Sequence, residues 1–273
     1  MHIGKVWAAY FSATGTTQKV VMRIADALAA ALEVERADYD FTLPGARSGP
    51  MRFGGKDLVI FGTPVYAGRV PNVLLKYLAT IEGNGALAIP VSLYGNRNYD
   101  NALIELRNIL IHQGLYPVTA GAFVGEHSFS TILGAARPDA QDMAIIDAFA
   151  ADSADKICEL PEDFVPALIE VKGDPEAGYY KPKGKDGNPI DIRKVRPLVA
   201  AHCTDCKICA EVCPMGSIDH ADVRLFEGVC IKCGACIKKC PVQARYYEDP
   251  DYLFHKQDLE ETYTRRADPE VFV

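Results

Sequence analysis

Apolar and polar positions along the first 160 residues alternate between two periods. Runs such as Ile3 to Phe11, Asp57 to Gly62 (DLVIFG), Ala86 to Tyr94 and Pro117 to Val124 read as buried strands. Between them, Val21, Ile24, Leu28 and Leu32 recur at the spacing of one helix face, as do Val73, Leu74 and Leu78 within Val70 to Ile81. Asn101 to His112 predicts a further helix, and "RPDAQDMAIIDAFA" opens a last one with Pro138 near its first turn. A remaining strand is expected within Glu33 to Tyr39. Strands alternating with helices predict an α/β domain built on a parallel sheet.

The pattern changes near residue 160. A stretch from Pro161 to Ala201, rich in Pro, Gly and Lys, reads as an extended linker with one turn at Asp186 to Asn188. Its apolar run "FVPALIEV" (164–171) predicts that it folds back along the first domain. A cysteine-rich module follows at 202–246. The tail, 247–273, carries one short helical stretch and aromatic residues able to pack on either domain.

At 273 residues the chain has room for one full core and a smaller second domain. A formal charge of −7 argues against a nucleic-acid binder. Leu103 to Ile111 and Asp57 to Val65 are too short or too interrupted to span a bilayer, and the first residues lack the order of a signal peptide, so a soluble cytoplasmic protein is expected.

The first strand runs into "AAYFSATGTTQKV" (8–20), with no basic residue before Lys19. A loop leaving a strand and entering a helix presents free N–H groups and the positive end of a helix dipole, both suited to a phosphate. Hydroxyls of Ser12, Thr14, Thr16 and Thr17 add donors around Ala13, and Gly15 allows close approach. Neither a Gly-Lys-Ser/Thr ending nor a GxGxxG run is present, which leaves a monophosphate-sized cradle. This SxTGxT loop resembles that of the flavodoxins, and the resemblance covers roughly residues 3–158. It implies a doubly wound five-stranded parallel sheet of order 2-1-3-4-5 that holds FMN by its phosphate in the first loop.

In such a sheet the loops after the third and fourth strands, "GTPVYAGRVP" (62–71) and "YGNRNYDNA" (94–102), line the ligand. Tyr66 and Tyr94 are candidates for stacking, with Tyr99 a third. The amides around Ala67, Gly68, Gly95 and Asn96 suit the polar edge of the ring, and Pro64, Val65 and Arg97 complete the two loops. Each tyrosine also has a plain alternative as a surface loop aromatic, and the first departs from the Trp often found there in flavodoxins. His127, in "GEHSFSTILGAARPD", belongs at the same end of the sheet, at the flavin edge, at a domain contact or simply in solvent.

Eight of the nine cysteines fall between 203 and 240, which in a reducing compartment points to metal. The ninth, Cys158, reads as a small buried hydrophobe near a helix end. "CTDCKICAEVCP" (203–214) and "CIKCGACIKKCP" (230–241) repeat CxxCxxCxxxCP with an offset of 27 residues. Zinc is the alternative reading of CxxC pairs, although a zinc ribbon has no use for the third cysteine or the CP ending. The doubled run resembles bacterial two-cluster ferredoxins. That resemblance implies a small α+β domain in which Cys203, Cys206, Cys209 and Cys240 hold one 4Fe-4S cluster, and Cys230, Cys233, Cys236 and Cys213 the other. The whole order resembles flavodoxin-ferredoxin fusion proteins, which implies electron transfer between FMN and clusters and with redox partner proteins in anaerobic metabolism. A flavin-dependent reductase acting on NAD(P)H, a quinone or a small organic substrate is the other reading.

Overall fold

The structure, a computed structural model, describes residues 2–161 and 167–273. The first domain alternates as the sequence pattern predicts: β1 (Lys5–Tyr10), α1 (Thr16–Ala31), β2 (Glu35–Asp40), β3 (Asp57–Pro64), α2 (Asn72–Leu78), β4 (Leu87–Tyr94) and α3 (Ala102–His112). β5 (Tyr116–Pro117), β6 (Ala120–Val124) and α4 (Ala140–Glu159) follow. The strand expected at 117–124 is thus two pieces, both paired with β4. These strands are parallel, in the order β2-β1-β3-β4-β6, so the order reverses beside β1, where a doubly wound sheet opens its crevice.

Alternation along the strands supplies two cores. Val6, Ala8, Tyr10, Leu58, Ile60, Ile89 and Val91 pack under α1 and α4, while Ala9, Phe11, Val59, Phe61 and Ala88 pack under α2 and α3. Helix α1 sits close because a Cβ on Gly62 would lie 2.2 Å from Val21 Cγ2. Helix α4 starts on a capping box, with the Asp139 carboxylate accepting from the Asp142 amide and Asp142 from that of Asp139. Its phase turns Ile157 inward and leaves Cys158 exposed, contrary to the buried position expected of that cysteine.

The second module comprises β7 (Leu198–Val199), α5 (Ile208–Glu211), α6 (Ala235–Lys238) and β8 (Arg245–Tyr246). β7 and β8 pair antiparallel and close the module, which begins a few residues before the expected 202. Its backbone repeats with the cysteines. Asp205 and Lys207 have positive φ, and so do Lys232 and Gly234 at the same offset, each pair leading into one of the two short helices.

The linker and the tail both return to the first domain. Of the run 164–171, the part within 162–166 lies outside the described residues; beyond it Leu168 is exposed and Val171 packs beside Tyr94 and Leu103. Asp174 N donates to Asn101 Oδ1 (2.8 Å), Tyr180 N to Ala67 O (2.9 Å), and the expected turn at 186–188 sits in a small hairpin bridged by Lys183 and Pro189. In the tail, α7 (Pro250–Thr262) starts on Asp249, and β9 (Glu270–Phe272) adds an antiparallel edge strand to β6. The sheet therefore has seven strands where five were expected, the additions being the split of the last expected strand into β5 and β6 and the edge strand β9.

Arg137, 5% exposed, pairs with the fully buried Asp142 and donates to Ala267 O (2.9 Å), joining α4 to the tail. Replacing Arg137 with Met leaves that carboxylate with the Asp139 amide (3.0 Å) and, as its cation among the described residues, the more distant Arg266 at 3.2 Å. A buried ion pair broken from one side costs about 3 to 5 kcal/mol. Urea unfolding should show a loss of that order, and Arg266→Met a smaller one.

Candidate functional site

All the loops at issue leave the C-terminal ends of β1, β3, β4 and β6. In the first, Gly15 is the residue before α1, at φ 94°, with open space where a Cβ would stand. Ser12 Oγ accepts from Gln18 N (2.9 Å), which folds the loop over the start of the helix. The amides of Ala13 and Thr14 have no protein partner among the described residues, and those of Thr16 and Thr17 belong to the first helical turn. The loop therefore presents unclaimed N–H groups at a helix N-terminus, as a phosphate requires.

After β3, Tyr66 and Arg69 exchange both backbone hydrogen bonds (2.9 and 3.1 Å), so Ala67 and Gly68 form a two-residue turn. Both have positive φ, which Ala67 tolerates only because the turn fixes it. The amides of Ala67 and Gly68 have no protein partner among the described residues. Val65, Tyr66, Ala67, Gly68, Tyr94, Gly95, Arg97 and His127 all line one cavity of about 770 Å³. The volume lies within the range for small-molecule and cofactor sites.

Other expected residues are placed elsewhere. Ser12 to Thr17 and Pro64 are not part of this cavity wall. The Asn96 backbone amide, expected at the ring's polar edge, donates to Tyr94 O (3.1 Å), while its side chain and Tyr99, expected to stack, hold the tail. Asn96 Nδ2 donates to Tyr263 O (2.9 Å) and Arg265 O (2.7 Å), its Oδ1 accepts from Ala267 N (3.0 Å), and the Tyr99 hydroxyl bonds Glu270. The reason is the returning chain, which occupies their side of the β4 loop. Tyr94 serves both, lining the cavity while its hydroxyl donates to Asp268 O (2.8 Å). Burial above all pushes its phenol up to about 12.

Sequence reasoning missed the far wall: Phe129, Tyr179 to Pro182, Pro189 to Arg193 and, from α7, His255 and Leu259. In α7 a signal was present, because Tyr252, His255 and Leu259 share one buried face. His255 is 2% exposed, and its Nδ1 has no partner among the described residues. His127 Nδ1 accepts from Phe129 N (3.1 Å), which places the imidazole proton on Nε2. Burial, aided by Lys238, His255 and Arg97, lowers the His127 pKa to about 3 and so keeps the ring neutral. Arg97 is held over the Tyr180 ring at 4.1 Å.

The cysteines sort into two sets. Cys203, Cys206, Cys209 and Cys240 line one pocket, and Cys213, Cys230, Cys233 and Cys236 line another. Each set draws three residues from one run and the last from the other, because the chain after each CP turns across to the opposite site. Among the described residues no three or more His, Cys, Asp or Glu side chains close around a point suited to a single metal ion. Each quartet instead rings a space, as a multi-atom cluster needs. Backbone amides reach the sulfurs: Asp205 N to Cys203 Sγ (3.4 Å), Ser217 N to Cys213 Sγ (3.4 Å) and Ala244 N to Cys240 Sγ (3.2 Å). Burial raises the Cys233 thiol to about 12 and raises Cys236 as well, so the negative charge of a thiolate there calls for a metal beside it.

The second quartet touches the cavity. Val229, Cys230, Ile231 and Lys232 form part of the cavity wall, and Cys233 and Ala235 are buried in the core that includes Phe11, Phe61 and Leu74. Tyr66 lies between, its phenol raised well above the usual range by burial and by Cys233 and Cys230 alongside. Lys238 fastens the contact through Glu126, His127 O (2.7 Å) and Ser130 O (3.1 Å), and Arg47 Nη2 donates to Pro214 O (2.5 Å). Tyr66 and His127 stand at this junction, whereas Arg69, in the loop after β3, pairs with Glu105 (2.9 Å) and clamps the linker at Ala177 O.

Comparison with known proteins bears on the second module most directly. Residues 198–241 match the family described as a 4Fe-4S dicluster domain. An uncharacterized ferredoxin of Methanocaldococcus jannaschii is 44% identical over 97 residues, 35% of this chain and 52% of that protein. A 7Fe ferredoxin of Hydrogenibacillus schlegelii is 46% identical over 43 residues, 15% of this chain and 55% of that one. The chain thus spans about half the length of these curated relatives. Among solved structures, oxidised flavodoxin 1 of Bacillus cereus is similar with a TM-score of 0.41 and 18% identity, over 58% of this chain and 100% of that one. An apo NADH:FMN oxidoreductase gives a TM-score of 0.42 and 16% identity, over 60% and 95%. The chain joins a flavodoxin-like α/β domain, defined by its own strand order, to a 4Fe-4S dicluster domain of ferredoxin type.

The crossed quartets generate a direct test. Cys213→Ser should alter the paramagnetic resonance of the cluster at Cys230, Cys233 and Cys236, although Cys213 follows the other trio in sequence. Loss confined to the cluster of Cys203, Cys206 and Cys209 would show that ligation is not crossed.

Proposed function

We propose that the chain is an electron-transfer flavo-iron-sulfur protein, carrying FMN and two 4Fe-4S clusters and exchanging low-potential electrons with redox partner proteins in the cytoplasm of an anaerobe. One observation carries this reading: Cys230 and the Tyr66 and Tyr94 loops are walls of the same cavity. Bound flavin supplies one- and two-electron chemistry, and each cluster stores one electron.

The residues fit these groups. Unclaimed amides of Ala13 and Thr14, the first-turn amides of α1 and the hydroxyls of Thr14 and Thr16 would hold the phosphate. Tyr66 and Tyr94 offer flat faces, and the Ala67 and Gly68 amides offer donors to the ring's polar edge. His127, neutral with its proton on Nε2, offers one more donor. The linker, α7 and the ferredoxin module supply the rest of the cavity wall. Among the described residues no helix is long and apolar enough to cross a membrane.

The far wall of the cavity favours a second reading, a reductase with the clusters as its electron feed. There His255 Nδ1 is unpartnered, and Lys181 and Arg193 stand beyond the loops a flavin ring would need.

Flash reduction of the flavin in anaerobic protein should give electron transfer to a cluster at a rate independent of protein concentration. A rate proportional to concentration would place transfer between molecules and sink the shared-cavity reading. NADH or NADPH added alone should leave the flavin absorbance unbleached, whereas bleaching would favour the reductase.

A further inference from the structure

Arg245 is a guanidinium buried without a carboxylate. It lies in β8, 3% exposed, and takes part in no ion pair among the described residues. Nη2 donates to Cys209 Sγ (3.1 Å) and to Val223 O, while Nε and Nη1 have no partner among the described residues. The Phe226 ring lies 5.6 Å from its centre. An unpaired cation in such surroundings costs several kcal/mol unless an anion faces it. Two sets of thiols face it: the quartet of Cys203, Cys206, Cys209 and Cys240, whose pocket Arg245 lines and whose Cys209 sulfur takes its hydrogen bond, and Cys236 of the other quartet, which is within reach of its charge but takes no hydrogen bond from it among the described residues.

The internal repeat makes this a comparison within one molecule. The residue equivalent to Arg245, 27 positions earlier, is Ile218, likewise 3% exposed and lining the pocket of the other quartet. A cation does stand near that second pocket, Lys232, but its Nζ donates to the carbonyls of Cys230 (2.8 Å) and Arg193 (3.1 Å), not to a sulfur. Lys232 is only half buried and faces the cavity, so water screens it. Tyr247, whose phenol burial raises above its usual range with Cys230 alongside, is a neutral neighbour where the first quartet has a charged one. At the first quartet the remaining charges, Lys207 and Asp205, pair with each other at 2.8 Å.

Adding an electron to a four-thiolate cluster adds negative charge, which a dehydrated cation on a ligating sulfur stabilises. We propose that Arg245 makes the cluster at Cys203, Cys206, Cys209 and Cys240 the easier of the two to reduce. This rests on the iron-sulfur reading above. One electron leaving the cavity-side cluster then reduces the outer one, with no atom transferred. The outer cluster, whose Cys206 is exposed, becomes the port to a partner. Arg245 acts as a positioning residue on the potential.

The test is a redox titration followed by paramagnetic resonance on the anaerobic full-length protein, its iron content measured first. Cys206→Ser identifies the signal of the outer cluster. In Arg245→Gln that signal should show at least a tenfold lower reduced-to-oxidised ratio at fixed potential, which is 59 mV for a one-electron couple, and a larger change than the signal of the other cluster. Arg245→Lys, which keeps the charge, should recover most of it. Should the Gln variant fail to retain the outer cluster, retention near the wild-type ratio in the Lys variant supports the same role. Unchanged ratios in the Gln variant, equal shifts of both clusters, or equal effects of Gln and Lys overturn the proposal. A wild-type protein without iron defeats the iron-sulfur reading itself, and the iron measurement tells that failure apart.

Discussion

The two modules share one apolar core. Cys233 and Ala235 are buried beside residues that also pack against Phe11, Phe61 and Leu74 of the α/β domain, so the interface is an extension of the first domain's interior. Burying apolar surface there contributes roughly 25 cal/mol per Å². It also fixes the angle at which the cysteine loop meets the sheet. The cavity wall at Cys230, the position of Tyr66 between cavity and cysteines, and the reach of Lys238 to Glu126 all follow from that seating. A ferredoxin module tethered only by its linker would have none of these.

Electrostatics then distinguishes two halves that the backbone makes alike. The positive-φ residues and the short helices recur at one offset, and so do the amide bonds of Ser217 and Ala244 to sulfur. What breaks the equivalence is surroundings. One quartet lies against tyrosines and the cavity, the other holds a buried guanidinium beside its sulfur. In a low-dielectric interior, such differences outweigh identical ligand geometry.

The α/β pattern was legible because period-two strands and a 3.6-period helix face leave an unambiguous trace, as in Leu58 to Phe61 and Val21 to Leu28. The doubled CxxCxxCxxxCP run was legible in its spacing, and the crossed quartets followed from its resemblance to two-cluster ferredoxins. The identities of the residues around the cavity were less so. Asn96 in a glycine-flanked loop reads equally as a flavin donor or as an anchor, and only the arrival of residues 263–267 decides it. β9 is three residues long and carries no periodicity, so its place on β6 depends on a sheet edge far away in sequence. His255 and Tyr180 reach the cavity from segments that local pattern cannot orient.

The course of the tail makes the α/β unit discontinuous. Its edge strand, β9, is encoded after the iron-sulfur module, and the polypeptide leaves the first unit after α4 and comes back to complete it. The ferredoxin segment is thus topologically an insertion rather than an appendage. During synthesis, β6 and Asn96 wait for partners until every cysteine has already left the ribosome. A cut between the modules would free neither one intact, so the two inherit their order, proportions and distance as a single unit.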